Sequence, residues 1–156
     1  MDDSIDELLE VLSLSNKGET TFVGRGSGHE GYGLFGGHQL AQSIVSAYRS
    51  VSAERRLHSV HGFFLRGGDG NKNINYDVAN IRDGRAFCQR RVTASQDDKQ
   101  IFDLTASFHT PEKGPGVIAP TAPRGAEPPE GLPTFEECMQ QVGPIFGEEW
   151  SEGPRP

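Results

Sequence analysis

The sequence of 156 residues is short of cysteine, of positive charge and of long apolar runs. Its two cysteines, Cys88 and Cys138, have neither another cysteine nearby nor histidine at the spacing of a zinc site. We therefore expect free thiols, no metal and no cofactor. No stretch approaches the roughly 18 apolar residues that a membrane-spanning helix needs, which predicts that the protein does not act within a membrane.

Positive charge is scarce, since 15 Lys and Arg are set against 22 Asp and Glu for a formal net charge of −7. The basic residues form no run longer than the pairs Arg55-Arg56 and Arg90-Arg91. Such a chain repels a phosphate backbone, so we exclude nucleic acid as a partner. The acidic start is opposite in charge to the basic segment of a signal peptide, which predicts a cytoplasmic protein.

The length and composition indicate one domain followed by a tail. Hydrophobic residues make up 34% of the chain, and 20 Gly and 10 Pro dilute them. Seven prolines fall between residues 111 and 133 with little periodicity around them. We predict a domain over residues 1–110, and a proline-rich linker with a short helix over residues 111–156.

Two helices and a first strand are predicted in the first third of the chain. Residues 5–14 have the pattern of a short amphipathic helix, and residues 20–23 that of a strand. After a glycine-dense segment, apolar residues recur at spacings of four and three from His38 onward, which predicts a helix with a broad apolar face. Its apolar positions are Leu40, Ile44, Ala47 and Val51.

Four strands are predicted next, at 57–66, 74–82, 85–96 and 100–109, with turn residues between them. The strand at 57–66 has Leu57, Phe63 and Leu65 on one face and Val60 and Phe64 on the other, so we expect both its faces to be covered. The order of elements predicts an α+β fold in which a curved antiparallel sheet wraps around one central helix.

Several segments resemble the acyl-CoA thioesterase II family, whose domains have the hotdog fold. The resemblance covers about residues 5 to 135, in the family's order, and is carried by the segments FGGHQLAQ at 35–42, LHSVHGFFLRGGD at 57–69, YDV at 76–78, RDGRAF at 82–87, RRV at 90–92 and TASF at 105–108. It implies that the chain is the family's N-terminal hotdog domain.

The resemblance implies hydrolysis of fatty acyl-CoA to free fatty acid and CoA. In the family, a carboxylate, a hydroxyl residue and a glutamine of a second hotdog domain activate the attacking water, and none of the three has a matching position here. The expected partners are therefore acyl-CoA and either a second hotdog domain or further copies of the chain. The chain itself would supply a scaffold and a wall of the acyl channel. The alternative is a non-catalytic hotdog module that binds acyl groups or mediates oligomerisation.

Gly36 and Gly37 are candidate substrate-binding residues. Thioester hydrolysis needs donors aimed at the oxyanion, and free N–H groups at the start of the central helix meet that need. Glycine would let an acyl group approach the backbone closely. The alternative is that the two glycines only permit a tight turn into the helix.

His58 is the candidate catalytic residue, because it matches a histidine of the family's strand motif. It would orient a water or contact substrate, whereas the alternative is a structural strand histidine. Arg66, at the end of the same strand, is the candidate ligand for a CoA phosphate. Arg90 and Arg91 are predicted to point to opposite faces, and for all three arginines the alternative is solvated charge.

Other motifs are interpreted as structural. The H-x-x-H spacing of His58 and His61 is not expected to hold zinc, because strand alternation sends the two side chains to opposite faces. His38, in the first turn of the helix, is a possible acid or base but is interpreted as a tolerated surface change. The glycine string at 26–31 does not precede a helix, and the calcium-like segment from Asp69 to Asn80 is interpreted as a turn. Glu30 and Asp69 are the nearest candidates for a substitute base in a homodimer.

Overall fold

The computed structural model describes residues 3–26, 33–114, 116, 119–126 and 128–146. The chain divides into two compact units, Met1–Lys113 and Gly114–Pro156. The first unit holds the helices α1 (Asp3–Val11) and α2 (Gly36–Tyr48) and the strands β1 (Ser15–Asn16), β2 (Thr21–Gly24), β3 (Arg56–Phe64), β4 (Ile74–Asp83), β5 (Phe87–Gln96) and β6 (Lys99–His109).

The six strands form one antiparallel sheet in the order β1-β2-β4-β5-β6-β3. The α+β class and the predicted sequence of helix, strand, central helix and four strands are confirmed. The strand β1 was not predicted, because two residues are too few to show a period of two. The second unit holds α3 (Phe135–Phe146), which matches the predicted helix and begins with reciprocal hydrogen bonds between Thr134 and Glu137.

One face of the sheet packs against α2 and buries alternate residues of the central strands. Their side chains form the core: Tyr76, Val78, Cys88, Val92, Ala94, Phe102, Leu104, Ala106 and Phe108. The period of two that predicted the last strand is confirmed, since Phe102, Leu104, Ala106 and Phe108 are all buried.

The buried face of α2 differs from the one predicted. Its fully buried positions are mostly small or polar residues: Gln39, Gln42, Ser43, Ser46 and Ala47. Leu40 and Ile44 are only half-buried, on one flank of the helix. Apolar periodicity therefore identified the helix and the burial of Ala47, but not the buried polar residues. Of these, Gln42 is paired with Tyr76 of the sheet, whereas Gln39 Oε1 and Ser43 Oγ are buried without a hydrogen-bond partner among the described residues.

Gln42 is the centre of that polar packing. Its Oε1 accepts a hydrogen bond from the Tyr76 hydroxyl at 2.8 Å, and its Nε2 donates to the carbonyl oxygens of Val11 and Arg25 at 2.6 and 3.0 Å. A buried amide is tolerated when its polar atoms are paired in this way. The network ties α2 to the sheet, to the end of α1 and to the segment after β2.

The edge strand β3 departs from the predicted alternation. Its register with β6 shifts between Leu57 and Ser59, which is a β-bulge at His58. The extra residue puts Leu57 on the same face as Val60 and Phe64, opposite Phe108, Ala106 and Phe102 of β6. The predicted grouping of Leu57 with Phe63 is therefore wrong, because a bulge reverses the alternation beyond it.

Among the described residues, no helix is long and apolar enough to cross a membrane.

Candidate functional site: an apolar groove beside the central helix

The helix α2 begins at two glycines that lie close to aromatic rings. A Cβ at Gly36 would lie 2.9 Å from ring carbons of Phe64, and one at Gly37 would lie 2.5 Å from the ring of Phe35. The N–H groups of Gly36 and Gly37 are in the first turn, where a helix has no intrahelical acceptors. A side chain at 36 would have to displace the exposed Phe64 ring, and the same position presents a backbone donor.

One flank of α2 lies alongside the inner face of β3, and the two elements make contact at both ends of this apolar strip. Positions 36, 40, 44 and 48 share a flank because they are four residues apart. At one end this flank meets Phe64 through Gly36, and at the other the Tyr48 hydroxyl accepts a hydrogen bond from the N–H of Leu57 at 3.1 Å. We call this the α2–β3 groove, defined by Leu40, Ile44, Tyr48, Leu57, Val60 and Phe64.

The α2–β3 groove is apolar and open. Val60 and Phe64 are 39% and 61% exposed, and Leu40 and Ile44 are half-buried. Between Val60 and Phe64 the strand has Gly62, and the buried Phe102 ring packs into the space where a side chain at that position would lie. The only polar side-chain atom among the six defining residues is the Tyr48 hydroxyl. Such a surface suits an alkyl chain, and the helix N–H groups at its Gly36 end suit a carbonyl oxygen.

His58 lies on the other face of the sheet, away from α2. Its Nε2 is 2.9 Å from Ser107 Oγ, and its ring contacts the rings of Phe87 and His109 edge-on. Five residues of strand lie between His58 and Phe64, a span of roughly 17–20 Å. Within this chain, the structure therefore does not bring His58 together with Gly36 and Gly37.

His58 and His61 share the back face of the sheet, contrary to the prediction from alternation. The bulge leaves His61 opposite Thr105 while His58 contacts Ser107, and both partners point away from the core. The two histidines still do not meet, because the His61 ring packs on Phe63. No group of three or more histidine, cysteine or acidic side chains in the described part of the chain is arranged to hold a metal.

Arg66 lies just beyond β3, at the Gly36 end of the groove. Its Nη1 donates to the carbonyl oxygen of Gln100 at 2.7 Å, and its side chain is exposed. The structure thus brings Gly36, Phe64 and Arg66 to one end of the groove. An exposed guanidinium there retains donors for an anion.

Two residues interpreted as solvated are buried. His38 is 8% exposed, with Nε2 at 2.7 Å from the Arg25 carbonyl oxygen, so it is not a surface change. Arg90 is 2% exposed and donates to Ser50 and Asp83, so it is not a solvated charge or a free phosphate ligand. Arg91 does point to the opposite face, where it pairs with Asp103.

The remaining motif predictions are resolved in part. Asp69 Oδ1 accepts the N–H of Asn71, and Asp69 Oδ2 lies 3.8 Å from Lys72 Nζ, which fits the predicted turn. Glu30 and most of the glycine string 26–31 lie outside the described residues. Tyr48 was not singled out from the sequence. Its spacing of four from Ile44 was the available signal, but its partner Leu57 belongs to another element.

Residues 25–109 match the family described as the acyl-CoA thioesterase N-terminal domain. Acyl-CoA thioesterase 2 of Haemophilus influenzae is 37% identical over 114 residues, which are 73% of this chain and 40% of that protein. Acyl-coenzyme A thioesterase 8 of Homo sapiens is 37% identical over 134 residues, which are 84% of this chain and 41% of that protein. The chain therefore spans less than half the length of these relatives.

The crystal structure of an acyl-CoA thioesterase II, TesB2, from Mycobacterium marinum superposes with a TM-score of 0.69 at 35% identity. The superposition covers 86% of this chain and 48% of that one. The hotdog fold predicted from the sequence is thereby confirmed, and the chain belongs to the acyl-CoA thioesterase N-terminal domain family.

Proposed function

We propose that the protein hydrolyses fatty acyl-CoA to free fatty acid and CoA, and that this chain supplies one wall of the acyl channel. The observation that carries the proposal is the α2–β3 groove, an apolar strip with helix N–H donors at one end. An alkyl chain gains about 25 cal/mol for each Å² of apolar surface that leaves water. The names of the relatives, acyl-CoA thioesterases 2 and 8, support a thioester of CoA as the substrate.

The groove suggests how the substrate lies. The thioester carbonyl is placed at the N–H groups of Gly36 and Gly37, where the helix dipole stabilises a developing oxyanion. The acyl chain runs along Leu40 and Ile44 toward Tyr48. The CoA moiety extends out of the groove at the Gly36 end, opposite Tyr48. There Arg66 offers a planar, charged donor to a phosphate.

Hydrolysis also needs a base and a positioned water. By the resemblance, these come from a carboxylate, a hydroxyl residue and a glutamine of a second hotdog domain. We infer that this domain, or another copy of the chain, docks against β3. That strand is the edge of the sheet and nearly all of its residues are exposed, so its outer backbone groups are open to pairing with another strand.

His58 can orient a water or contact substrate only if a second hotdog domain or another copy of the chain docks at β3. On the back face it is far from Gly36 of its own chain, but its exposed ring and its contact with Ser107 leave it near the β3 edge. There it would contact substrate or water held by the second domain. The cytoplasmic setting is likewise part of the proposal, and cell fractionation with an antibody to the chain tests it.

The test of the function is thiol release from palmitoyl-CoA by the purified chain, alone and mixed with a separately produced second hotdog domain of a relative. We expect turnover in the mixture well above that of either part. Turnover by the chain alone that His58→Ala removes would show instead that this chain carries the chemistry. The proposal would be refuted if no combination of the chain and the second domain showed either binding or turnover.

The second candidate is a non-catalytic module that binds acyl groups, and the open α2–β3 groove is equally compatible with it. The two functions differ in one outcome. A module would bind palmitoyl-CoA with the same affinity in the presence of a second hotdog domain and would release no thiol.

A further inference from the structure

We propose that Tyr48 is the residue that limits acyl chain length, by closing the far end of the α2–β3 groove. This inference rests on the proposed function and deepens it. One side chain would set the preferred length of the acyl chain. This role does not involve the reacting groups at the Gly36 end.

The contacts of Tyr48 hold its side chain across the gap between helix and strand. Its hydroxyl accepts the Leu57 N–H at 3.1 Å, and its ring meets that of Phe108 edge-on with centroids 5.0 Å apart. The ring is thus fixed from two elements, at the last residue of α2 and next to the bulge of β3. Because it remains 39% exposed, the side chain faces open space on its other side.

Two independent measures give the groove the same length. From Gly36 to Tyr48 the helix rises by about 18 Å at its usual 1.5 Å per residue. From Phe64 back to Leu57, with one residue taken up by the bulge, the strand spans roughly 20 Å. The two elements therefore run side by side from the Phe64 contact to the Tyr48 contact.

That length corresponds to an acyl chain of medium to long size. With carbon–carbon bonds of about 1.5 Å, an extended alkyl chain advances ~1.3 Å per methylene. A groove of about 18–20 Å then holds roughly 14 or 15 methylenes, which corresponds to myristoyl or palmitoyl groups. Longer chains would meet the Tyr48 ring and its hydrogen bond to β3.

The experiment is a binding series from octanoyl-CoA to eicosanoyl-CoA with the 156-residue chain, measured by displacement of a fluorescent fatty acid. For the unmodified chain we expect Kd to fall by up to about fourfold per added methylene, the equivalent of ~0.8 kcal/mol, and to level off near myristoyl or palmitoyl. For Tyr48→Ala we expect the plateau to move to longer chains by two carbons or more.

Two further variants separate the barrier from its hydrogen bond and from general damage. Tyr48→Phe keeps the ring and should keep the plateau. Ile44→Phe fills the middle of the groove and should move the plateau to shorter chains, and it provides a test if Tyr48→Ala does not fold. Phe87→Ala, which removes an exposed aromatic from the back face, is the matched control and should change nothing.

An unchanged plateau in folded Tyr48→Ala would overturn the inference. If that variant does not fold, an unchanged plateau in Ile44→Phe would do so. In either case the proposed function would stand, since acyl-CoA would still bind with affinity that depends on length. Absence of binding at every length would remove both the proposed function and the role of Tyr48.

Discussion

Arg90 and Arg91 are neighbours in the chain with opposite environments. The Arg90 side chain donates to Ser50 Oγ and O, to Asp83 Oδ1, and to the carbonyl oxygens of Arg82 and Gln89. It joins the end of α2 to the hairpin of β4 and β5. The Arg91 side chain is exposed on the back face and pairs with Asp103.

We expect Arg90→Met to lower the free energy of unfolding by about 2–3 kcal/mol, because it removes buried hydrogen bonds from a charged donor. Arg91→Met should cost less than about 1 kcal/mol, as exposed ion pairs usually do. Urea unfolding of both variants measures the difference. Equal losses would contradict the structural role assigned to Arg90.

Tyr76 predicts a pH dependence of stability. Burial raises the pKa of Tyr76 well above its ordinary value of 10.0. Above that pH the unfolded chain loses a proton that the folded chain keeps, so the folded state loses stability as pH rises. The expected slope is about 1.4 kcal/mol per pH unit above pH ~10.

Tyr76→Phe should lose this alkaline slope. It should also lower stability at neutral pH by about 1 kcal/mol, because Gln42 loses a hydrogen bond. Urea unfolding at a series of pH values from neutral to alkaline compares the two proteins. Parallel curves above pH ~10 would show that Tyr76 does not titrate as its burial requires.

Single residues were the hardest features to predict from the sequence. The burial of His38 and Arg90 depends on partners 13 and 40 residues away, Arg25 and Ser50, and no local pattern contains them. The candidates Gly36, Gly37 and Arg66 were identified from a family motif. The structure brings Gly36 and Arg66 to one end of a groove, whereas their roles remain predictions.

The elements were predicted well where their periodicity was regular. The strand β6 and the helix α2 were found because buried positions recur at fixed intervals. The bounds of β6 differ from the predicted ones by one residue, and those of α2 by two or three. The strand β3 was found, and Val60 and Phe64 were correctly placed on one face, but Leu57 was assigned to the wrong face because of the bulge at His58. A bulge has no signature in a single strand, because it is defined by the register with the partner strand.

Gly62 shows how closely β3 approaches its neighbour. A Cβ at this position would lie 2.7 Å from Phe102 Cζ, and Phe102 is buried in the core. We expect Gly62→Ala to destabilise the domain by about 1–2 kcal/mol, since the core must shift to admit a methyl group. Gly67→Ala is the matched control, because nothing lies within 4 Å of its Cβ position.

Thermal and urea unfolding of the two glycine variants measure this contrast. Gly67→Ala should stay within about 0.5 kcal/mol of the unmodified chain. If Gly62→Ala were equally neutral, the close packing of β3 on Phe102 would be wrong.

For the whole molecule, composition argues against some classes of partner, such as nucleic acid, but it does not select a function. The family came from motifs, and it is now shown by a match over residues 25–109. The groove came from the structure, because its walls lie on α2 and β3, which are joined by a loop and do not share a sequence pattern. The proposal explains both the exposed edge of β3 and the open groove in the same way: a second hotdog domain docks there and completes the channel.

The most direct test of this account is photolabelling of the chain with a palmitoyl-CoA analogue that has a diazirine near the end of its acyl chain. Mass spectrometry of the labelled peptides gives the site. We predict label on α2 around Ile44 and Tyr48 and on β3 around Leu57 and Val60, and we predict that unlabelled palmitoyl-CoA competes for it. Label confined to the back face around Phe63 and Phe87, or label that palmitoyl-CoA does not displace, would contradict the account.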